Sequence, residues 1–533
     1  MGTYLNPGNS GFAEILQSDY VDKTGLISLI NSTIGTKKKL TCISRPRRFG
    51  KSYAAQMLCA YYDKTCDSHE LFNGFRIAQD STYERHIGKY DVIYWDMTGI
   101  KPYTEKYSKL VPFLVEKLSA EIRQQYPETT VSDDLSDTLS KAAETIGNKF
   151  IILIDEWDAP IRENPSVSED YLEFLRSLFK NSATTSKIFA AAYMTGILPI
   201  KKDGSQSAIS DFDEYTMIKP RQFAEYVGFT EEEVRKLCDQ HEVSFEQMKQ
   251  WYDGYEFKDV GAVYNPNSVM KAIRYDDFDS YWTETSAAEG LMDYISKPYN
   301  GMAKTIAEMI GGVDVKVNTN GFANDLVTFK GRDDVLTLMI HLGYLAYNSE
   351  TKTVHIPNEE IKLEFQKAIR EVHHEETAKR LSESDQLFLD TLEMKAEAVA
   401  AQIEKIHREE TAPLLYSKED SLRSVIKLAY YTYRDHYLQF EELPSGDGYA
   451  DIVYLPKQDS DWPALVIELK WNKGADAAIS QIKDRRYPEV LKGYGGDILL
   501  VGINYDKDAP VGERKHSCKI EKYRMDFGLS SDV

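Results

Sequence analysis

The chain has 533 residues, 42% hydrophobic and 28% charged. That is too long for one hydrophobic core and too apolar for wholesale disorder, so about two or three domains are expected. A formal net charge of −21 repels polyanions and excludes a protein that coats DNA nonspecifically. No apolar run approaches the roughly 20 residues of a bilayer span and the N-terminal residues lack a signal-peptide pattern, which points to the cytoplasm and to no membrane partner. The cysteines Cys42, Cys59, Cys66, Cys238 and Cys518 lack paired metal spacing and are odd in number, so they read as reduced thiols.

Residues 31–60 carry Lys37, Lys38, Lys39, Arg45, Arg47, Arg48 and Lys51 and no acidic residue, a cluster expected to face an anion or water. Inside it, residues 40–44 (Leu-Thr-Cys-Ile-Ser) predict a strand and the run from Ser52 predicts a helix. The connecting residues 45–52 (Arg-Pro-Arg-Arg-Phe-Gly-Lys-Ser) resemble the P-loop G-x-x-x-x-G-K-[ST]. Gly50, Lys51 and Ser52 fit; Arg45 replaces the first glycine. A strand before and a helix after favour phosphate at the helix N-terminus. In that reading Arg48, Phe49 and Gly50 cradle the nucleotide, Lys51 reaches the outer phosphates of ATP and Ser52 ligates Mg²⁺.

Residues 92–95, 150–154 and 188–194 are further apolar runs, separated by helical stretches near 104–125 and 168–181, the alternation of a parallel α/β sheet with crossover helices. The run 150–154 ends in Asp155 and Glu156. At a strand's C-terminal edge the first carboxylate can hold Mg²⁺ and the second can orient or deprotonate the attacking water. Lys51 as an exposed lysine and Asp155-Glu156 as a polar strand end are the bland alternatives. The two halves together, in order and on fitting elements, favour a nucleotide site.

After Pro220 the pattern turns helical, with Thr230 as an N-cap ahead of Glu231, Glu232 and Glu233, which suggests a helical lid. Residues 333–342 predict a helix, Gly343 a stop, 344–356 a hairpin and Asn358 the start of another helix, as in a winged-helix-like connector. The charged stretch 368–411 reads as solvated helix. A helix near 418–436, a strand near 437–441, strands at 451–455, 464–470 and 498–503, and a helix around 475–492 complete the chain. The expected division is 1–218 for the P-loop core, 219–300 for the lid, 301–411 for the connector and 412–533 for a C-terminal α/β domain.

Several segments are similar to the AAA-ATPase-like family: 20–24 (Tyr-Val-Asp-Lys-Thr), 45–52, 154–160 (Ile-Asp-Glu-Trp-Asp-Ala-Pro), 195–200 (Thr-Gly-Ile-Leu-Pro-Ile), 251–257 (Trp-Tyr-Asp-Gly-Tyr-Glu-Phe) and 264–269. The resemblance implies a P-loop NTPase fold, accepts arginine for the first glycine, and implies that Thr195 ends the fourth strand as a sensor of the γ-phosphate; a buried capping threonine is the alternative. Arg162 and Arg176 are weighed as arginine fingers against the commoner role of salt-bridge partners.

In the last domain Glu468 and Lys470 are two apart on a strand and share a face, and a hairpin brings Asp451 to the same spot. Two carboxylates for Mg²⁺ and a lysine to position water are what a metal-dependent phosphodiesterase needs; a cross-strand surface pair is the alternative. The set resembles the PD-(D/E)xK nuclease superfamily, a restriction-endonuclease-like α/β fold. That resemblance implies Glu419, or alternatively Glu442, as a further acidic metal ligand, Gln481 as a polar neighbour, and nucleic acid, DNA foremost, as partner. The expected function is an ATPase coupled to a Mg²⁺-dependent nuclease. A nucleotide-operated switch with an inactive nuclease-like domain, and a homo-oligomeric assembly, stay open.

Overall fold

Four mainly apolar segments and a short polar edge strand build the sheet of the N-terminal half: β1 (Leu40–Ser44), β2 (Asp91–Asp96), β3 (Phe150–Asp155), β4 (Phe189–Gly196) and the edge strand β5 (Asp213–Tyr215), in the order β2-β3-β4-β1-β5. The computed structural model describes residues 2–523 except 181, 201, 204–205, 208, 210, 283–293, 295–301, 311, 325–327, 372–374, 411–425, 427–428, 431–436, 446–447, 457–461, 486–495, 511–512 and 514. It describes the backbone alone at 202–203, 206–207, 303–304, 307, 369–371, 375–382, 409–410, 439, 441–445 and 448–450. The chain divides into two compact units, Met1–Met302 with Asp314–Phe365, and Ala303–Val313 with Gln366–Val533.

All pairings in the first sheet are parallel, and β1, β3 and β4 are buried along their whole length. Near-continuous apolar strands are the consequence of covering both faces of a parallel sheet. On one face Ile152, Ile154, Ala192 and Met194 join Leu114 and Leu118 of helix Leu110–Gln125 and Leu175 of helix Ser168–Phe179. The helix Lys51–Tyr62 packs on β3 and β4. Because β4 lies between β1 and β3, the C-terminal ends of β3 and β4 sit together beside the loop that leaves β1.

The lid is less purely helical than expected. Strands Phe229–Thr230, Gly261–Tyr264 and Tyr255–Phe257 form a small antiparallel sheet, packed with helices Glu231–His241, Phe245–Tyr252 and Pro266–Tyr275 around Val234, Met248, Tyr252, Tyr264 and Val269. Thr230 and Glu233 make a reciprocal capping box at the first of these helices, which satisfies two of its exposed amide donors. Helix Arg332–Leu342 stops at Gly343, whose φ of 86° suits glycine. The hairpin Ala346–Asn348 with Thr353–His355 and helix Glu359–Glu371 follow. Gly254 binds lid to connector: its φ is 115°, and a Cβ there would lie 2.0 Å from the Pro357 carbonyl oxygen.

The second unit holds a mixed sheet of β6 (Tyr437–Ser445), β7 (Gly448–Pro456), β8 (Ala464–Trp471), β9 (Ile498–Tyr505) and β10 (His516–Tyr523), in that order. Only β8 and β9 run parallel, and helix Ala475–Asp484 makes the crossover between them. Period-two alternation sorts the strand residues. Ile452, Leu465, Ile467, Leu469 and Val501 pack with Leu387, Val399 and Ile403 of the preceding helices; Val453, Ala464, Val466 and Leu500 pack with Ile479 and Ile482 of the crossover helix. Strand β10, unforeseen from the sequence, pairs along β9. Among the described residues no helix is long and apolar enough to cross a membrane.

Candidate functional sites

The loop after β1 enters helix Lys51–Tyr62 through Gly50, whose φ of 87° is left-handed; Arg48 is left-handed too, at 68°. Such a turn aims successive amides at one point at a helix N-terminus, an anion-binding arrangement. Arg45 does not join it. Its side chain is fully buried, donates from Nη1 to the carbonyls of Ser44 at 3.0 Å and Tyr215 at 3.3 Å, and lies 5.2 Å from the Phe257 ring centroid. Burial holds its guanidinium down at about 10. Arginine at the first glycine position is thus a prop under the loop, tying β1 and β5 to the lid hairpin.

Lys39 corrects the expectation for the basic cluster in the same way. It is buried and donates to the Phe189 carbonyl at 3.1 Å and the Ser186 hydroxyl at 3.2 Å. With Arg45, two cations of the cluster face protein carbonyls instead of an anion or water. Phe49 turns inward against Tyr255, with ring centroids 5.5 Å apart, and Arg48 donates to the Tyr281 carbonyl at 3.5 Å.

Lys51 is buried at the helix start and donates to the Pro46 carbonyl at 2.9 Å. Its Nζ lies 3.1 Å from Oε1 of Glu156. Asp155, at the end of β3, accepts hydrogen bonds from the hydroxyls of Ser52 and Thr195. Burial pushes its carboxyl up to about 6, and the adjacent Glu156 charge adds to that. Burial would raise Glu156 as well, but Lys51 and Arg162 against it hold it below the ordinary carboxylate value. Thr195 is the penultimate residue of β4, one before Gly196, and lies beside Asp155.

Asp158 of the 154–160 segment and Arg162 just beyond it, the latter weighed above as an arginine finger or a salt-bridge partner, form an ion-pair chain with Glu156. Arg162 donates from Nη2 to Glu156 Oε2 at 3.0 Å and from Nε to Asp158 Oδ2 at 2.9 Å. Asp158 in turn accepts from the amides of Ile197 at 3.2 Å and Leu198 at 2.8 Å. The i,i+4 spacing of Asp158 and Arg162 was the available signal. Arg176 pairs with Glu173 of its own helix at 3.4 Å, the salt-bridge role. Ser52 and Asp155 supply a hydroxyl and a carboxylate in hydrogen-bond contact, a donor pair of the hard-oxygen kind that Mg²⁺ takes, so the residues present fit that ion.

In the C-terminal unit Asp451, Glu468, Lys470 and Gln481 come together. Asp451 and Glu468 lie on adjacent antiparallel strands just beyond the Ile452–Ile467 pair, and Asp451 Oδ2 accepts from the Leu469 amide at 2.8 Å. Lys470 donates to Glu468 Oε1 at 2.7 Å, and Gln481 of the crossover helix donates to the same oxygen. Glu468 is 2% exposed, and its Oε2 is buried without a hydrogen-bond partner among the described residues. Burial pushes its carboxyl up to about 7, with Asp451 adding. An orphaned buried oxygen beside a second carboxylate fits a divalent cation. Among the described residues no group of three His, Cys, Asp or Glu side chains is arranged around a metal position; Glu419 and the side chain of Glu442 lie outside the described residues.

A parallel sheet, a strand-loop-helix ending in Gly50-Lys51-Ser52 and a carboxylate pair two strands away make a P-loop-like α/β domain. Residues 8–205 match the family model described as a predicted AAA-ATPase. An uncharacterised protein in the vnfD 5′ region of Azotobacter chroococcum mcd 1 is 25% identical over 302 residues, 54% of this chain and 55% of that protein; the chain thus matches about half the length of this curated relative. Among solved structures, the ORC2 protein of Aeropyrum pernix aligns at 9% identity over 65% of this chain and 94% of that one, TM-score 0.24. AMPPCP-bound DnaA from Aquifex aeolicus aligns at 8% identity over 68% and 91%, TM-score 0.24. Similarity at those scores does not define a shared fold.

Proposed function

We propose that the chain is an ATPase whose N-terminal domain binds ATP with Mg²⁺ and controls a nuclease-like C-terminal domain that acts on nucleic acid, DNA foremost. The observation that carries the ATPase reading is the meeting of Lys51 and Ser52, at a helix N-terminus, with Asp155, Glu156 and Thr195 at the ends of neighbouring strands. Lys51 is positioned to neutralise outer-phosphate oxygens, and the loop amides complement their charge. Ser52 and Asp155 would hold Mg²⁺, which when bound shields the phosphate charge. Glu156 orients the attacking water and takes its proton as the water oxygen bonds to the γ-phosphorus and the bond to the β-phosphate oxygen breaks. Thr195 keeps Asp155 in place.

For the second domain, the support is the convergence of Asp451, Glu468, Lys470 and Gln481 on one face of β7, β8 and the crossover helix. Asp451 and Glu468 would hold a divalent cation, which polarises a phosphodiester. Lys470 and Gln481 fix the Glu468 carboxylate, and the Lys470 ammonium is placed to orient water beside it. Cleavage of single-stranded and duplex DNA with Mg²⁺ by wild type, Asp451→Ala and Lys470→Ala tests this part. Cleavage by wild type alone supports it; equal activity in all three removes it. Phosphate release from ATP by wild type and Glu156→Gln tests the first part, and equal rates would remove it.

A further inference from the structure

Both oxygens of Glu156 are held by cations from two different elements. Oε1 faces Lys51 Nζ at 3.1 Å and Oε2 accepts from Arg162 Nη2 at 3.0 Å. Arg162 is itself fixed: its side chain is 8% exposed, and its Nε donates to Asp158. Asp158 is 1% exposed and caps the amides of Ile197 and Leu198, which follow Thr195-Gly196 at the end of β4. Trp157, between the two carboxylates, donates its amide to the Thr195 carbonyl at 2.8 Å. Gly196 leaves room for this packing, since a Cβ there would lie 2.6 Å from Trp157 Nε1 and 2.7 Å from Asp158 Oδ1.

The backbone of Glu156 adds a reason for such bracing. Its φ is 51°, left-handed for a residue that carries a Cβ, a conformation that persists only where the surroundings over-determine it. A glutamate side chain has three rotatable bonds and would sample many orientations from that backbone. A guanidinium locked by a second carboxylate removes most of them, because its fork offers two donors in fixed directions.

We propose that Arg162 is a positioning residue for ATP hydrolysis, acting in cis through Glu156. It holds Oε2 so that Oε1 is presented on the Lys51 side, where the outer phosphates of ATP are read to bind. Phosphate oxygens then compete with Oε1 for Lys51, while Arg162 keeps its grip on Oε2. Glu156 is thereby left aimed at the γ-phosphate with one oxygen able to accept a proton from water. Arg162 does not touch the phosphates in this assignment, which distinguishes it from an arginine finger. The Asp158 link ties its position to the segment that carries Thr195, so the water-orienting glutamate and the end of β4 move as one piece.

The inference rests on the ATPase reading, and the test separates the two. Steady-state ATP hydrolysis and equilibrium binding of ATP are measured on the full chain for wild type, Arg162→Gln, Arg162→Lys, Glu156→Gln and the Arg162→Gln/Glu156→Gln double variant, with Arg176→Gln as a control. Loss of orientation at a reacting group costs about 10²-fold, so Arg162→Gln is expected to lower kcat about 10²-fold and leave the ATP Kd within about threefold. Arg162→Lys regains part of the loss. In the Glu156→Gln background Arg162→Gln changes kcat by less than about twofold, because residues acting through one group are non-additive. An active wild type with undiminished kcat in Arg162→Gln overturns the inference, as does a full additive loss in the double variant. A wild type that binds ATP without hydrolysing it overturns the ATPase reading and the inference with it. Arg162→Lys covers the case in which the glutamine variant does not fold: a lysine variant that folds and shows wild-type Kd with reduced kcat supports the assignment, and one with wild-type kcat in every respect counts against it.

Discussion

Thr195 donates its hydroxyl to Asp155, joining the last turnings of β4 and β3 inside the core. Both are buried, Thr195 completely and Asp155 with 2% of its surface exposed. The hydrogen bond therefore does structural work before any ligand is considered. Removing a donor from a buried carboxylate costs about 1–3 kcal/mol, so Thr195→Val is expected to lower stability by that amount in urea unfolding. Thr195→Ser, which keeps the hydroxyl, should lose less. Equal stability of wild type and the valine variant would contradict the pairing.

Gly254 offers a sharper mechanical test. With φ at 115° and a Cβ position 2.0 Å from a backbone oxygen of Pro357, alanine meets both conformational strain and a steric clash with main chain that cannot rotate away. Gly254→Ala is expected to destabilise the first unit by about 2–3 kcal/mol. Gly35→Ala makes a useful contrast, since Gly35 is also left-handed but meets nothing within 4 Å. Thermal unfolding of the two variants should rank them in that order.

Glu360 predicts a pH dependence. It accepts from the Ser268 hydroxyl at 2.8 and 2.9 Å and from the Tyr281 amide at 2.9 Å. Burial pushes its carboxyl from 4.5 up to about 8, with Glu364 adding, against the pull of those donors. Arg48 and Lys271 are the cations that feel it. Between those two pH values the folded chain keeps a proton that the unfolded chain has released, so stability falls as pH rises through the window. The loss at the upper end is on the order of a few kcal/mol. Glu360→Gln should flatten this slope in denaturation curves taken from pH 5 to about pH 8; an unchanged slope would assign it to other groups.

Much of the architecture was legible because its signals are local. The P-loop helix, the Thr230 cap, the Gly343 stop and the strand-like runs of β7 and β8 each depend on a few neighbouring residues, and the described elements begin and end near them. Strand β5 was missed because three residues at a sheet edge carry no period, and β10 because its sequence, His-Ser-Cys-Lys-Ile-Glu-Lys-Tyr, is an edge strand with mostly polar side chains. Of the candidate site residues, those on regular strands could be grouped by face alone.

What the sequence did not disclose is direction. Arg45 and Lys39 belong to a basic run that reads as anion-facing, yet their side chains turn into the fold to reach the carbonyls of Tyr215 and Phe189. Those partners lie far along the chain, and burial of a cation is decided by whether such carbonyls are waiting for it. The Asp158–Arg162–Glu156 chain was opaque for a related reason: its i,i+4 spacing also fits an ordinary surface pair.

The account stands most directly on nucleotide binding at Lys51, and calorimetric titration of the full chain with ATP and Mg²⁺ measures it. Wild type should bind one ATP per chain, and Lys51→Ala should bind about tenfold or more weakly, a loss of roughly 1.4 kcal/mol or greater. Lys39→Met, which changes a cation buried elsewhere, should bind as wild type does. Equal affinity of wild type and Lys51→Ala, or no binding by wild type, would contradict the assignment of this loop as a nucleotide site.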